Sequence, residues 1–179
     1  MPQFVVLLRG VNVGKGNRVP MGEFKLAMQG LGYSGVVTLL NSGNAVFSSP
    51  TRTASKHVEA IASLLEKKFN VTTPVVVKSA AEFHAIVQGN PIAPSEPDHP
   101  KFLVAFAQST ASLAGVAECL PRPQPPERLA VSETAIYLHC AQGLLQSKVA
   151  EALLGKASKS VTSRNWATVL KLRALLSAA

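Results

Sequence analysis

Aspartate occurs once in this 179-residue chain, at Asp98, tryptophan once, at Trp166, and cysteine twice, at Cys119 and Cys140. Each scarcity closes off a class of chemistry. Two cysteines without knuckle spacing give neither a disulfide framework nor a zinc site, and so few thiols fit a cytoplasmic protein. The single aspartate lies in a proline-rich stretch, so no Ser-His-Asp set assembles without Asp98. No pair of acids has the spacing of metal ligands or of a general acid and base, and neither a metal nor a cofactor is expected. Long apolar runs are missing too. Nothing approaches the ~18 residues that a membrane helix requires. Residues 4–8 are too short for the apolar region of a signal peptide and no basic segment precedes them. No membrane partner is expected.

What is present is an ordinary core-forming composition, 47% hydrophobic, with a net charge of +8 that is unevenly placed. Residues 1–20 carry Arg9, Lys15 and Arg18 and no acid. Residues 143–179 carry Lys148, Lys156, Lys159, Arg164, Lys171 and Arg173 against Glu151 alone, which leaves the long middle neutral. A basic face of this kind attracts phosphate, nucleic acid or acidic headgroups, and it also serves simply as a solvated, solubilising surface.

The apolar periodicity predicts α+β architecture. Residues 4–11 form a nearly continuous apolar run, as a central strand does, and residues 13–19 form a glycine-rich polar loop. Pro20 suits a helix start. Met21, Phe24, Met28 and Leu31 follow at helical spacing until Gly32. Residues 36–40 and 44–48 read as strands joined by a tight turn. Val58, Ile61, Leu65 and Phe69 mark a second helix, residues 74–78 a β-branched strand, and Ser79 with Glu82 a capping box opening a helix that stops at Gly89. That β-α-β-β-α-β order is the split pattern of ferredoxin-like units. It then recurs in a degenerate form: strand 101–107, helix 111–120, paired strands 128–132 and 135–140, helix 147–154, a short closing strand at 160–162, and a last helix from about 165 to 177. Two ferredoxin-like units with antiparallel sheets and helices on one face are expected, residues 1–90 and 101–179, joined by a proline-rich linker, 91–100.

Several polar segments stand out. Arg9-Gly10-Val11-Asn12-Val13-Gly14-Lys15-Gly16-Asn17-Arg18 follows a strand, as a phosphate loop does. It is not a Walker loop, because Gly10 and Gly14 are separated by three residues, Gly16 stands in place of the hydroxyl, and the helix starts only after Pro20. A looser anion site on glycine N–H groups and cations remains. Asn41-Ser42-Gly43-Asn44 is the composition of a tight turn. In a split unit that turn lies at the same sheet end as the 9–18 loop, so Asn12, Lys15, Ser42 and Asn44 are expected to share a solvent-accessible depression. On that reading, Asn12→Ala and Asn44→Ala weaken ligand binding and spare stability. Arg164 and Asn165 are expected at a helix N-terminus capped by Ser or Thr, where an anion is held. Trp166 reads as a core anchor, and Lys148, after the cap Ser147, as a phosphate contact. His57, His84 and His99 read as surface residues. Tyr137 and His139 share one strand face, where bases could stack, and Cys140 lies on the other with Ile136 and Leu138.

On Arg9-Gly10-Val11-Asn12-Val13-Gly14, Val19-Pro20-Met21, Asn41-Ser42-Gly43-Asn44, Ser147-Lys148 and Thr162-Ser163-Arg164-Asn165-Trp166 the chain resembles the bacterial family called domain of unknown function 1697. It departs from the family pattern at Asn41, where glutamine is expected, and at Gln146, where arginine is expected. The resemblance implies a cytoplasmic α+β protein and assigns no activity. Three function classes follow from the residues. The first is a module binding a nucleotide or nucleic-acid phosphate through Arg9, Asn12, Lys15, Arg18, Ser42, Asn44, Lys148, Arg164 and Asn165. The second is a metal-independent enzyme on a phosphorylated or carboxylated small molecule, with Asn and Ser donors and Lys148 as acid or base. The third is an assembly protein whose polar signatures are fold-building turns.

Overall fold

The computed structural model describes residues 1–177. Two four-stranded antiparallel sheets are present. The first contains β1 (Gln3–Leu8), β2 (Ser34–Leu39), β3 (Asn44–Ser48) and β4 (Val75–Ser79) in the order β2-β3-β1-β4. Its helices are α1 (Met21–Gly30), α2 (Ala54–Phe69) and the start of α3 (Ala80–Gln88). The second contains β5 (Phe102–Ala107), β6 (Arg128–Val131), β7 (Ile136–His139) and β8 (Val161–Asn165) in the order β6-β7-β5-β8, with α4 (Thr110–Glu118), α5 (Lys148–Leu154) and the start of α6 (Trp166–Ser177). Both orders are compatible with the split β-α-β pattern expected from sequence. The compact units are Met1–His84 together with the residues from Leu172 on, and Ala85–Lys171.

In the first unit β1 is an inner strand between β3 and β4, which is why its sequence is apolar at every position from Phe4 to Leu8. Phe4, Val6 and Leu8 enter a core with Phe24 and Met28 of α1 and Ile61 and Leu65 of α2, while Val5 and Leu7, on the opposite face, are also fully buried. The α1 stripe ends one residue short of the expected one. Leu31 caps the helix and is exposed, and Gly32, at φ 89°, ends the helical path. The capping box at α3 is formed reciprocally: Ser79 N–H donates to Glu82 Oε2 at 2.8 Å and Glu82 N–H to Ser79 Oγ at 3.3 Å.

His57 is not a surface residue. It repeats the i, i+4, i+8 stripe of Ile61 and Leu65 and is buried. Its ring lies within 4.6–5.3 Å of the Phe4, Tyr33 and Phe47 rings. The Thr51 carbonyl, 2.9 Å from Nε2, can only accept, so Nε2 carries the proton and Nδ1 accepts from Tyr33 Oη at 2.9 Å. Both ring nitrogens are therefore satisfied inside an aromatic cluster, and no catalytic role is needed to explain the residue.

The second unit is more complete than its sequence suggested. The closing strand is not confined to 160–162, for β8 has five residues and pairs with β5 from Leu103↔Asn165 to Ala107↔Val161. Arg164 concealed it. Its guanidinium is buried in the strand, donating to Thr162 Oγ1 at 2.7 Å and to the Ser163 carbonyl at 2.9 Å. The cap of α6 is Asn165, whose Oδ1 accepts from Thr168 N–H at 2.9 Å, rather than the expected Ser or Thr. Trp166 is buried with its ring 5.6 Å from Phe102, as a core anchor.

Cys140 shares a core with Ile136 and Leu138, as the strand alternation required. The opposite face is closed, which removes the base-stacking reading of Tyr137 and His139. Tyr137 Oη donates to the Ile86 carbonyl at 2.7 Å, and His139 is buried between Asp98 Oδ2, 3.1 Å from Nε2, and Arg128 Nη2, 3.4 Å from Nδ1. Arg128 always donates, so the His139 proton resides on Nε2 and points at Asp98. The chain's one aspartate thus fastens the 3₁₀ turn Glu96–Lys101 to β7.

Candidate functional site

The 9–18 loop and the 41–44 turn meet at one end of the first sheet. β1 delivers the chain to this point, where Leu8 N–H donates to the Gly43 carbonyl at 2.8 Å and Arg9 N–H to the Pro74 carbonyl at 3.2 Å. Thr73 Oγ1 donates to the Arg9 carbonyl. Beyond it the backbone enters left-handed conformation at Gly10 (φ 60°), Asn12 (φ 57°) and Gly14 (φ 63°), which curls the loop back on itself. Asparagine tolerates that region better than most side-chain-bearing residues.

Asn12 is the pin of this joint. Its Oδ1 accepts from Val19 N–H at 2.9 Å, and its Nδ2 donates to the Val19 carbonyl at 2.8 Å and to the Asn41 carbonyl at 2.7 Å. Both amide hydrogens are therefore spent, one closing the loop and the other tying it to the turn. The Asn12 N–H adds a bond to the Asn17 carbonyl at 3.0 Å.

Asn44 does not open onto solvent as expected. It is fully buried, and its Nδ2 donates to the Leu39 carbonyl at 3.0 Å and to Ser42 Oγ at 2.9 Å. The reason is the register: Asn44 pairs with Leu7 and Leu39 on inner β3, so its side chain is enclosed and must find partners within the turn. The depression at this sheet end is shallow, about 300 Å³, and is lined by Asn12, Arg18 and Asn41 with residues 19–21. Lys15, Ser42 and Asn44 do not line it.

Two cations are exposed at this end. Residues 13–18 are all exposed, including Lys15 and Arg18, and Arg9 is half-buried at the base, its pKa pushed down by desolvation. The other expected contacts lie in the second unit. Lys148 is exposed beside a separate cavity, Arg164 is buried in β8, and Asn165 caps α6. Sequence reasoning missed that cavity, and its only signals were the proline cluster at 121–126 and glycine at 143. Among the described residues no group of three or more His, Cys, Asp or Glu side chains could hold a metal ion, and no helix is long and apolar enough to cross a membrane.

A family profile described as "Protein of unknown function (DUF1697)" matches residues 1–137, a span that contains the whole pinned joint. The chain belongs to this family. The Ser147-Lys148 and 162–166 segments lie beyond the matched residues of the DUF1697 profile. In three dimensions the DUF1697 chain is similar to the solved structure of a conserved bacterial protein, SP0830, from Streptococcus pneumoniae, with a TM-score of 0.81, 23% identity and 98% of each chain covered. At that identity the likeness is one of fold. No curated protein matches the chain.

Proposed function

We propose that this DUF1697 chain is a binding module for the phosphates of a nucleic acid, with the tip of the 9–18 loop as its contact and a cytoplasmic place of work. One observation carries this reading: the exposed tip, residues 13–18, presents Lys15 and Arg18 with no acid among residues 1–20, while Asn12 holds its base rigid. A fixed loop pays little ordering entropy when it docks, and two unopposed cations release counterions from a polyanion. The tip is exposed and the neighbouring depression is shallow, which suits an extended phosphate chain better than a small ligand, whose sites are concave. The enzyme reading of this sheet end loses its asparagine donors, since the amides of Asn12 and Asn44 are committed within the fold.

The test is fluorescence anisotropy on a random-sequence DNA duplex and on a single-stranded RNA across a salt series. For duplex DNA the wild-type log affinity should fall by roughly 0.9 per contacted phosphate per log unit of salt. Lys15→Glu/Arg18→Glu should weaken binding by at least about tenfold and flatten the slope by roughly two. Both side chains are exposed, so the melting temperature should stay where it is. Equal binding by the variant, or no binding by wild type at low salt, sinks the proposal.

A further inference from the structure

A second site lies wholly within the Ala85–Lys171 unit and owes nothing to the loop tip. A cavity of about 380 Å³ separates the proline-rich segment around Pro121, Pro126 and Glu127 from the turn that runs from Cys140 to Lys148. Prolines at 121, 123, 125 and 126 have no N–H to donate to a ladder, and this segment forms no strand. The facing wall turns at Gly143, φ 98°, into the 3₁₀ turn Leu144–Gln146.

The walls are joined, which makes the cavity a built feature of the unit. Ser147 is buried, accepts from Ala150 N–H at 2.9 Å, and donates its hydroxyl proton to the Glu127 carboxylate of the opposite wall. The one acid in the lining is thereby engaged. Buried Cys140 lies on the core side, and burial pushes its thiol up to about 11, so this part of the lining is a neutral, weakly polar surface.

The remaining polar lining is uncommitted. Arg122, Lys148, Gln124, Gln142 and Gln146 all line the cavity, and among the described residues no hydrogen bond or ion pair engages their side chains. This is the reverse of the sheet end, where Asn12 and Asn44 have spent their amides on the fold. Two cations over an engaged acid favour a negative ligand, the glutamines offer paired donors and acceptors to a polar edge, and proline rings offer apolar walls to a flat body.

We propose that this cavity binds a small organic anion with a flat apolar body, Arg122 and Lys148 holding its phosphate or carboxylate. The full chain carrying Cys119→Ser leaves Cys140 as its one thiol, a reporter inside the cavity. The probes are adenosine monophosphate for the phosphate arm and 4-hydroxybenzoate for the carboxylate arm, with adenosine as the uncharged control. Binding is read by calorimetry, and its place by the rate of Cys140 alkylation with iodoacetamide at alkaline pH. At least one anion should bind at millimolar concentration or tighter and slow alkylation by about tenfold, adenosine should do neither, and Arg122→Glu/Lys148→Glu should abolish both effects. Whichever anion acts distinguishes phosphate from carboxylate recognition. Neither anion binding at millimolar concentration, or binding and protection that persist in the double variant, overturns the proposal.

Discussion

Replacing Gly43 with alanine is expected to remove a large part of the stability of the first unit. A Cβ on Gly43 would lie 2.6 Å from Leu8 Cβ and 2.7 Å from Val11 Cγ2, well inside van der Waals contact. Neither neighbour can yield, because Leu8 and Val11 are both core residues, exposed by no more than 1%. The turn cannot retreat either, since the Gly43 carbonyl accepts the Leu8 N–H at 2.8 Å. Residue 43 also has φ 83°, a conformation that strains any side-chain-bearing residue. Backbone strain of about 1–3 kcal/mol adds to overpacking of a similar size. A loss of about 3–5 kcal/mol is therefore expected by urea denaturation, against a typical total of roughly 5–15 kcal/mol. Gly16→Ala is the control: an added Cβ there meets nothing within 4 Å, and Gly16 has no positive φ, so its unfolding midpoint should match wild type.

Asn12→Ala is the second large loss. The substitution removes the acceptor of Val19 N–H and the donor to the Val19 and Asn41 carbonyls. Val19 is fully buried, so its freed backbone groups have poor access to water. Each stranded group costs about 1–3 kcal/mol, and alanine adds roughly 1 kcal/mol for the left-handed backbone at φ 57°. A total of about 3–7 kcal/mol is expected in denaturant titration. Asn12→Gly should lose somewhat less, because it relieves the backbone while still losing the side-chain bonds. Asn12→Asp should not rescue stability, since its carboxylate would face two carbonyl oxygens where the amide donates. This reverses the expectation from sequence, in which Asn12 and Asn44 served a ligand and spared stability. The side-chain amides of both asparagines are engaged within the fold.

The parts of this fold that were legible in the sequence are those written locally. The apolar run of β1 is continuous because an inner strand is buried on both faces, and Ser79 with Glu82 forms its capping box within one helical turn. The meeting of loop and turn followed from strand order alone, and the tie from Asn12 to the Asn41 carbonyl is its physical form. What was illegible depends on partners far away in sequence. Asp98 looked like a linker residue until β7 brought His139 to it, and Tyr137 looked like a stacking platform until the Ile86 carbonyl took its hydroxyl. Asn44 and Arg164 share a further reason. A buried polar side chain breaks the apolar pattern that betrays a strand, yet each donates to oxygens of its own hairpin or strand. Polar residues in turns and strand ends therefore resemble ligand donors whenever their hydrogen-bond partners are out of sight.

The tip of the 9–18 loop, rather than the asparagines that pin it, is where the anion should be met. Titrating ¹⁵N-labelled protein with a short single-stranded RNA and following amide shifts residue by residue separates the two. The expected result is a set of shifts concentrated on residues 13–18, with the side-chain amide resonances of Asn12 and Asn44 unmoved because their hydrogens stay bonded to Val19, Asn41, Leu39 and Ser42. Shifts centred elsewhere on the first unit, or side-chain amides of Asn12 and Asn44 that move with the RNA while residues 13–18 do not, would contradict it.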